Sequence, residues 1–478
     1  MKQVRGWLGP ALFFVVGVTC ARLMLLAFNR TDLFVDESQY WLWGQNLDFG
    51  YYSKPPLIGW LIRAVTDLAG SDSAFWVRMP GAVLHAATAL LLGVAAERLA
   101  GGRAAFWTAV SYATLPFVAV GSLLISTDTV MAPFYALALL AWLRLMDSRA
   151  PGWALVAGAA IGMAFLAKYA AIYFLLGAAL AAALTREGRI GWKNSLLLLC
   201  AFGLVISPNV IWNLTHDLTT VSHTMDNVGW VRSEAPASSL NPAGLAEFFF
   251  SQFAVFGPVL FAALLVAYAS GWRAGGTERA LVLASLPPLL VVSVQALMEK
   301  AYANWALAAY FAGCLLVVPY LVRRRPRLLR ASIAVNGAIA ILLPLLTTLA
   351  PWPERDGAPL LQRYLGRADL SREIIAAARA AGVGLIYADD RDILADLFYS
   401  GAGQGLAIAA PRPAGRPRNY YEQTYPLPQG HGRMLAVLAA APVCDGGVLA
   451  PLRDFDLSGG AYAKRTLAAY LVPEGCLR

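Results

Sequence analysis

The sequence predicts an α-helical polytopic membrane protein that ends in a small α/β domain. Three observations carry this. Apolar runs recur from Trp7 to Ala350, each close to the roughly 20 residues needed to cross a hydrocarbon core. The chain is 58% hydrophobic and 14% charged, whereas a soluble chain carries roughly a quarter charged residues. Past residue 350 the composition turns richer in Pro, Gly and charge.

The apolar runs give about eleven spans, near 7–28, 79–98, 104–121, 129–146, 153–167, 169–185, 195–212, 246–270, 281–297, 305–322 and 331–350. The runs 153–167 and 169–185 are short, as tilted, re-entrant or covered segments are. The first run follows Lys2 and Arg5 and has no small-x-small cleavage site, so it reads as a retained signal-anchor helix. Basic residues divide unevenly between alternate loops. One set holds Lys2, Arg5, Arg98, Arg103, Arg144, Arg149, Arg186, Arg189, Lys193, Arg273 and Arg279, and the cluster Arg323, Arg324, Arg325, Arg327 and Arg330. The other holds only Arg30, Lys54, Arg63, Arg78, Lys168, Arg232 and Lys300. The richer side faces the cytoplasm. The chain is therefore expected in a bacterial inner membrane as a multi-pass protein. Its loops 29–78 and 213–245 and its tail would face the periplasm.

Two domains follow: a membrane domain over 1–350 and a periplasmic domain over 351–478. Within the first long loop, 37–47 and 56–68 are aromatic and amphipathic, a pattern that suits helices lying in the interface plane. In the tail, helical stretches at 371–381 and 389–399 alternate with strands at 383–387 and 406–409, the alternation of an α/β domain.

The net charge of +9 follows the membrane loops, and no nucleic-acid-binding motif accompanies it, so nucleic acid is excluded as a partner. Cys20, Cys200 and Cys314 lie in apolar runs as small packing residues. Cys444 and Cys476 lie in the tail and can pair if it faces an oxidising compartment. His216 and His223 lack the tight spacing of a metal motif. No metal ligand set and no cofactor are assigned; a bound divalent cation remains the alternative.

Polar groups collect on the predicted outer face. Asp36 and Glu37 open the first loop, with Tyr52 and Lys54 further on. Asp128 begins the 129–146 span, and Lys168 and Tyr169 separate the two short spans. His216, Asp217 and His223 lie in the second long loop, and Glu299, Lys300, Tyr302, Asn304 and Trp305 in the segment MEKAYANW. Ionisable groups at membrane depth are expensive and point to function. The set suits group transfer from a lipid-linked, phosphate-bearing substrate. A carboxylate among Asp36, Glu37 and Asp128 can take the proton of an attacking hydroxyl. Lys54 and Lys168 can neutralise a leaving phosphate. Tyr52, Tyr169, His223, Lys300, Tyr302 and Asn304 are the candidate substrate contacts. Each group also has a plainer reading. The acid pair suits a helix start, Asp128 a helix cap, Lys54 a snorkelling cation, Lys168 a loop cation, and Trp305 an interface anchor. The shared face favours the functional reading of the set.

The runs VDESQYWLWGQNL and YYSKPPLIGWL, then GSLLISTDTVMAPFYALALLAWLRL and GMAFLAKYAAIYFLLG, resemble the bacterial family 39 glycosyltransferases. These are relatives of the dolichyl-phosphate-mannose protein mannosyltransferases (PMT type) and of the lipid A aminoarabinose transferase. SPNVIWNLTHDLTTVSH and KAYANWALAAY extend the likeness over residues 1–350. The resemblance implies a GT-C fold and a polyprenyl-phosphate-linked sugar as donor, with transfer that inverts the anomeric centre. It implies catalysis by Asp36, contact of Lys54 with the donor phosphate, and a second acid at Asp128. Ser53 departs from the aminoarabinose transferases, which carry Glu there in connection with metal binding. The NWALAAY segment resembles the galacturonosyl transferases that modify lipopolysaccharide.

The expected activity is thus transfer of a sugar to an envelope acceptor: lipid A, lipopolysaccharide core or another glycan. The partners are that glycolipid or glycan, the donor and membrane lipids. Protein O-glycosylation is the alternative. A polyprenyl-glycan flippase would need charge on both faces and repeated or broken helices, and a non-catalytic scaffold would not need Asp36, Lys54 and Asp128 together.

Overall fold

The computed structural model describes residues 6–227, 240–444 and 447–476. Part of the predicted loop 213–245, with Arg232, lies outside the described residues. The chain falls into two compact units. One holds Met1–Ala27, Lys54–Ile58 and Arg78–Pro344; the other gathers Phe28–Ser53, Gly59–Val77 and Leu345–Arg478.

The first unit is helical. Among the described residues, six helices are long and apolar enough to cross a membrane, or up to seven if a bent pair counts as one span. They are Leu8–Ala27, Ala74–Ala113, Thr127–Ser148, Trp192–Thr215, Gly276–Met298 and Pro326–Leu349. The other expected spans correspond to shorter or broken helices. Pro151–Ala167 and Ile172–Leu184 are the two short runs. The run expected over 246–270 is broken into two helices, Pro242–Val255 and Pro258–Ala274, bent by 110°. The reason is local: Gly257 takes φ 91, a conformation open to glycine, and Pro258 then starts a new helix. Gly101, at φ 80 and ψ 177 inside Ala74–Ala113, breaks that helix in the same way.

Thr127–Ser148 is buried along most of its length. Leu8–Ala27 and Trp192–Thr215 instead expose large apolar residues, among them Phe13 and Leu204. Apolar exposure on that scale on a long helix fits a lipid-facing surface. Close packing inside the bundle relies on small residues. Gly158 and Gly162 form a GxxxG step on Pro151–Ala167, facing Trp192–Thr215. A Cβ at Gly158 would meet Leu198 O at 2.2 Å, and one at Gly162 would meet Val205 Cβ at 2.7 Å. Such steps let helix backbones approach where lipid provides no hydrophobic drive.

In the second unit, five strands form one sheet. Its centre is Met434–Leu438, buried throughout. Leu385–Ala388 pairs with it in parallel, and Ala468–Val472 antiparallel on its other side. Ala407–Ala409 and Arg453–Asp454 are the edges. Helices Arg367–Ala380 and Arg391–Ser400 complete the α/β pattern. The first starts earlier than the sequence pattern implies because Asp32 caps it. The Asp32 carboxylate accepts from Arg367 N at 2.7 Å, across 335 residues. Burial pushes the Asp32 carboxyl above its ordinary pKa, against the pull of the backbone donors at Arg367 and Ala368. Cys444 and Cys476 are joined as a disulfide.

The first-loop helices are present as Val35–Gln45 and Leu57–Ala69. The former is no interface helix with one face in lipid. Every residue from Glu37 to Gly44 is buried. Trp41 Nε1 donates to Asp72 Oδ1 at 2.9 Å and its ring meets Tyr399 edge-on at 5.0 Å. Tyr399 closes the set by donating to Asp72 O at 2.6 Å.

The glycine step yields a stability prediction. Gly158→Val should destabilise the purified protein by an amount typical of overpacking, about 1–3 kcal/mol, seen as a lower thermal midpoint, whereas Gly152→Val, where a Cβ meets nothing within 4 Å, should change it far less. Equal midpoints for the two variants would contradict the packing argument.

Candidate active site

Ser126 builds the start of Thr127–Ser148. Its hydroxyl accepts from Thr129 N at 3.2 Å and so caps the helix. That frees Asp128, in the first turn, from the capping role. Its carboxylate instead meets Lys168, whose ammonium donates to both oxygens at 2.7 Å. Asn304 Nδ2 donates to Asp128 Oδ2 at 3.1 Å. The side chains of Asp128 and Lys168 are only 9% and 15% exposed. A charge so placed needs a partner to offset its desolvation.

Local breaks in the helices put these groups there. Lys168 is extended, at φ −155 and ψ 129, between Pro151–Ala167 and the turn Tyr169–Ala171. Asn304 lies in the turn Ala303–Ala306. Gln252 holds that turn by donating to Ala303 O at 3.2 Å, and Tyr310 in turn donates to Gln252 Oε1 at 2.6 Å. Tyr169 donates to Asn209 Oδ1 at 3.0 Å and accepts from Asn213 at 3.3 Å. Lys300 Nζ stands 4.7 Å from the Tyr302 ring centre. Lys54 is half-buried ahead of Pro55 and Pro56, which lead into Leu57–Ala69. His223 lies on Thr219–Asn227.

Beneath the capped helix start sits a group that the sequence reading missed. His85 Nε2 lies 3.3 Å from Thr129 Oγ1, and its Nδ1 3.0 Å from Tyr112 OH. Gly121 is needed beside it, since a Cβ there would sit 2.4 Å from His85 Nε2. One histidine within an apolar run carries no pattern that announces this role. Asn209 and Asn213 did leave a signal, a spacing of one helical turn beside Pro208.

Asp36, Glu37 and Tyr52 belong to the second unit. The two acids do different work. Glu37 is 1% exposed, and its Oε2 accepts from Phe34 N at 2.9 Å, bonding back to the start of its own helix as a capping-box acid does. Asp36 points the other way and is 48% exposed. Its Oδ1 accepts from Arg391 Nη2 at 2.6 Å. Gln39 Oε1 accepts from Arg391 Nε at 3.1 Å and from Nη2 at 3.0 Å. Burial works against the Arg391 charge, but the Asp36 carboxylate outweighs it and holds the guanidinium above its ordinary pKa. The sequence reading missed Arg391 too, because 355 residues separate it from Asp36. Tyr52 is buried and donates to Pro417 O at 2.9 Å. Among the described residues, no three of His, Cys, Asp and Glu group closely enough to hold a metal ion.

The fold is that of ArnT from Cupriavidus metallidurans. The apo form superposes with a TM-score of 0.62 at 14% identity, covering 96% of this chain and 98% of that one. The form bound to undecaprenyl phosphate gives 0.64 at 15% identity, covering 97% and 98%. The architecture is therefore ArnT-like, largely helical with a small C-terminal sheet region. Residues 53–212 match the profile described as dolichyl-phosphate-mannose-protein mannosyltransferase. The lipid A galacturonosyltransferase RgtD of Rhizobium johnstonii is 42% identical over 473 residues, 98% of each chain. The chain belongs to the PMT-type glycosyltransferases, in the branch related to the lipid A-modifying enzymes.

The buried ion pair predicts coupled substitutions. Asp128→Asn and Lys168→Met should each lower the thermal midpoint, and the double variant should recover about 1–3 kcal/mol relative to their sum. Additive effects in that double-mutant cycle would show that the two charges do not support each other.

Proposed function

We propose that this protein transfers a galacturonosyl group from a polyprenyl-phosphate donor to lipid A, on the periplasmic face of a bacterial inner membrane. The observation that carries this is the 42% identity to a lipid A galacturonosyltransferase across 98% of both chains. The likeness to an ArnT structure holding undecaprenyl phosphate supports the donor class. Placement rests on the bias of basic residues between loops. Most of the first long loop, Phe28–Ser53 and Gly59–Val77, forms one unit with the tail, so a side assigned to one holds for both. About eleven passes, counting short and broken helices, and a periplasmic domain over 351–478 belong to the same reading.

In this proposal an acceptor hydroxyl oxygen attacks the anomeric carbon of the donor sugar. The bond from that carbon to the phosphate oxygen breaks, and its electron pair leaves with the polyprenyl phosphate. The hydroxyl proton passes to the Asp36 carboxylate, and in-line displacement inverts the centre. Glu37 supports the helix that presents Asp36. Lys54 and Lys168 offset the charge on the leaving phosphate. Lys168 spends two N–H groups on Asp128, which leaves a third for a phosphate oxygen. Asp128 holds Lys168 and Asn304 in place, and Tyr52, Tyr169, His223, Lys300 and Tyr302 complete the substrate contacts.

Mass spectrometry of lipid A from cells with and without the gene tests the function. Loss of one hexuronic acid per molecule is expected, and an unchanged lipid A profile would overturn the assignment. Purified Asp36→Asn should fold and yet turn over at least about 100-fold more slowly, the usual scale for a lost general base. Near-normal turnover would remove Asp36 from the chemistry. The proposed reaction needs no divalent cation, so EDTA should leave the rate unchanged; inhibition reversed by added metal would refute that.

A further inference from the structure

We propose that Arg391 recognises the carboxylate of the transferred sugar and thereby selects a uronosyl donor over a neutral one; this rests on the proposed function of the same site. A uronic acid differs from the parent hexose in one respect that a protein can read at a distance, its anionic carboxylate. The group best shaped to read it is a guanidinium, which offers a planar fork of N–H donors.

Arg391 is held so that part of this fork remains open. Gln39, itself buried, accepts from Nε and Nη2 and fixes the plane of the guanidinium. Asp36 takes a further N–H of Nη2. The two N–H groups on Nη1 donate to no protein group among the described residues, and the side chain is 38% exposed. The group beside the proposed general base is thus a fixed cation with unused donors. A pair serving only to tie the tail helix to the first loop would not need them. That tie is already made by Trp41, Asp72 and Tyr399.

The arrangement also distributes charge sensibly. A uronate brought near Asp36 would meet a second negative charge. Arg391 placed against both carboxylates screens each from the other, because a guanidinium has donors enough for two. A neutral hexose makes no such demand and gains nothing from the open edge.

Purified enzyme, lipid A and two synthetic donors test this: polyprenyl-phosphate galacturonic acid and polyprenyl-phosphate galactose. Wild type should prefer the uronosyl donor. Arg391→Gln, which keeps an amide beside Asp36, should lower kcat/KM for the uronosyl donor by roughly 10- to 100-fold, the scale of a lost hydrogen bond to a charged group. The loss should fall mainly on KM and should be markedly larger than any loss with the galactosyl donor, which shares the altered Asp36 partner but has no carboxylate to lose. Arg391→Lys should restore part of the preference, and thermal midpoints of both variants report folding separately. An equal loss for the two donors would assign Arg391 to positioning Asp36 alone and overturn the inference. Wild type that prefers galactose would overturn it while leaving the glycosyl transfer intact. No transfer from either donor would overturn the proposed function, and the inference with it.

Discussion

The burial of Val35–Gln45 is the constraint on which the second unit depends. This helix carries a carboxylate pair, yet Glu37 to Gly44 are all buried. Its cover comes from the C-terminal segment and from the rest of the first loop together. Glu37 bonds back to the helix start, Trp41 reaches Asp72 and Tyr399, and Asp36 meets Arg391. The stack of Trp43 on Tyr51, 4.7 Å between ring centres, supplies further apolar cover. A reactive carboxylate gains from such a mount, since a side chain on a rigid, packed helix is held more closely than one on a free loop.

The first unit solves a different problem. Asp128 and Lys168 sit where little water reaches, Asn304 joins them from an exposed turn, and each occupies a helix start or an interruption between helices. Such breaks leave backbone groups unsatisfied unless neighbours supply partners. Ser126 and Gln252 supply them, and the Tyr169–Asn209–Asn213 group adds side-chain bonds beside the break at Lys168. The polar residues near the ion pair therefore serve two ends, satisfying broken backbone and fixing the charged groups.

Much of this was legible in the sequence, for identifiable reasons. Apolar run length exposed the helices, and strand-length apolar segments between helical stretches exposed the sheet. The face shared by Asp128, Lys168 and Asn304 followed from loop order, which the bundle preserves. What the sequence concealed were interactions across long separations. Nothing near Arg391 points to Asp36, and nothing near Asp32 announces that it caps a helix at Arg367. The bend at Gly257 is a different case. A Gly-Pro step signals a break, but apolar residues continue on both sides and mask it.

The composition of the second unit has a consequence for how the protein is made. Its parts come from Phe28–Ser53, Gly59–Val77 and Leu345–Arg478, so the early loop leaves the ribosome long before its packing partners exist. Its Trp and Tyr residues spend that interval without their cover, and the unit can close only once the end of the chain has been synthesised. Nascent chains with exposed apolar surface are prone to misassembly. Assembly of the proposed catalytic helix is thus tied to completion of translation, and a chain cut short in its last quarter would hold an intact Asp36 codon but no mounted Asp36.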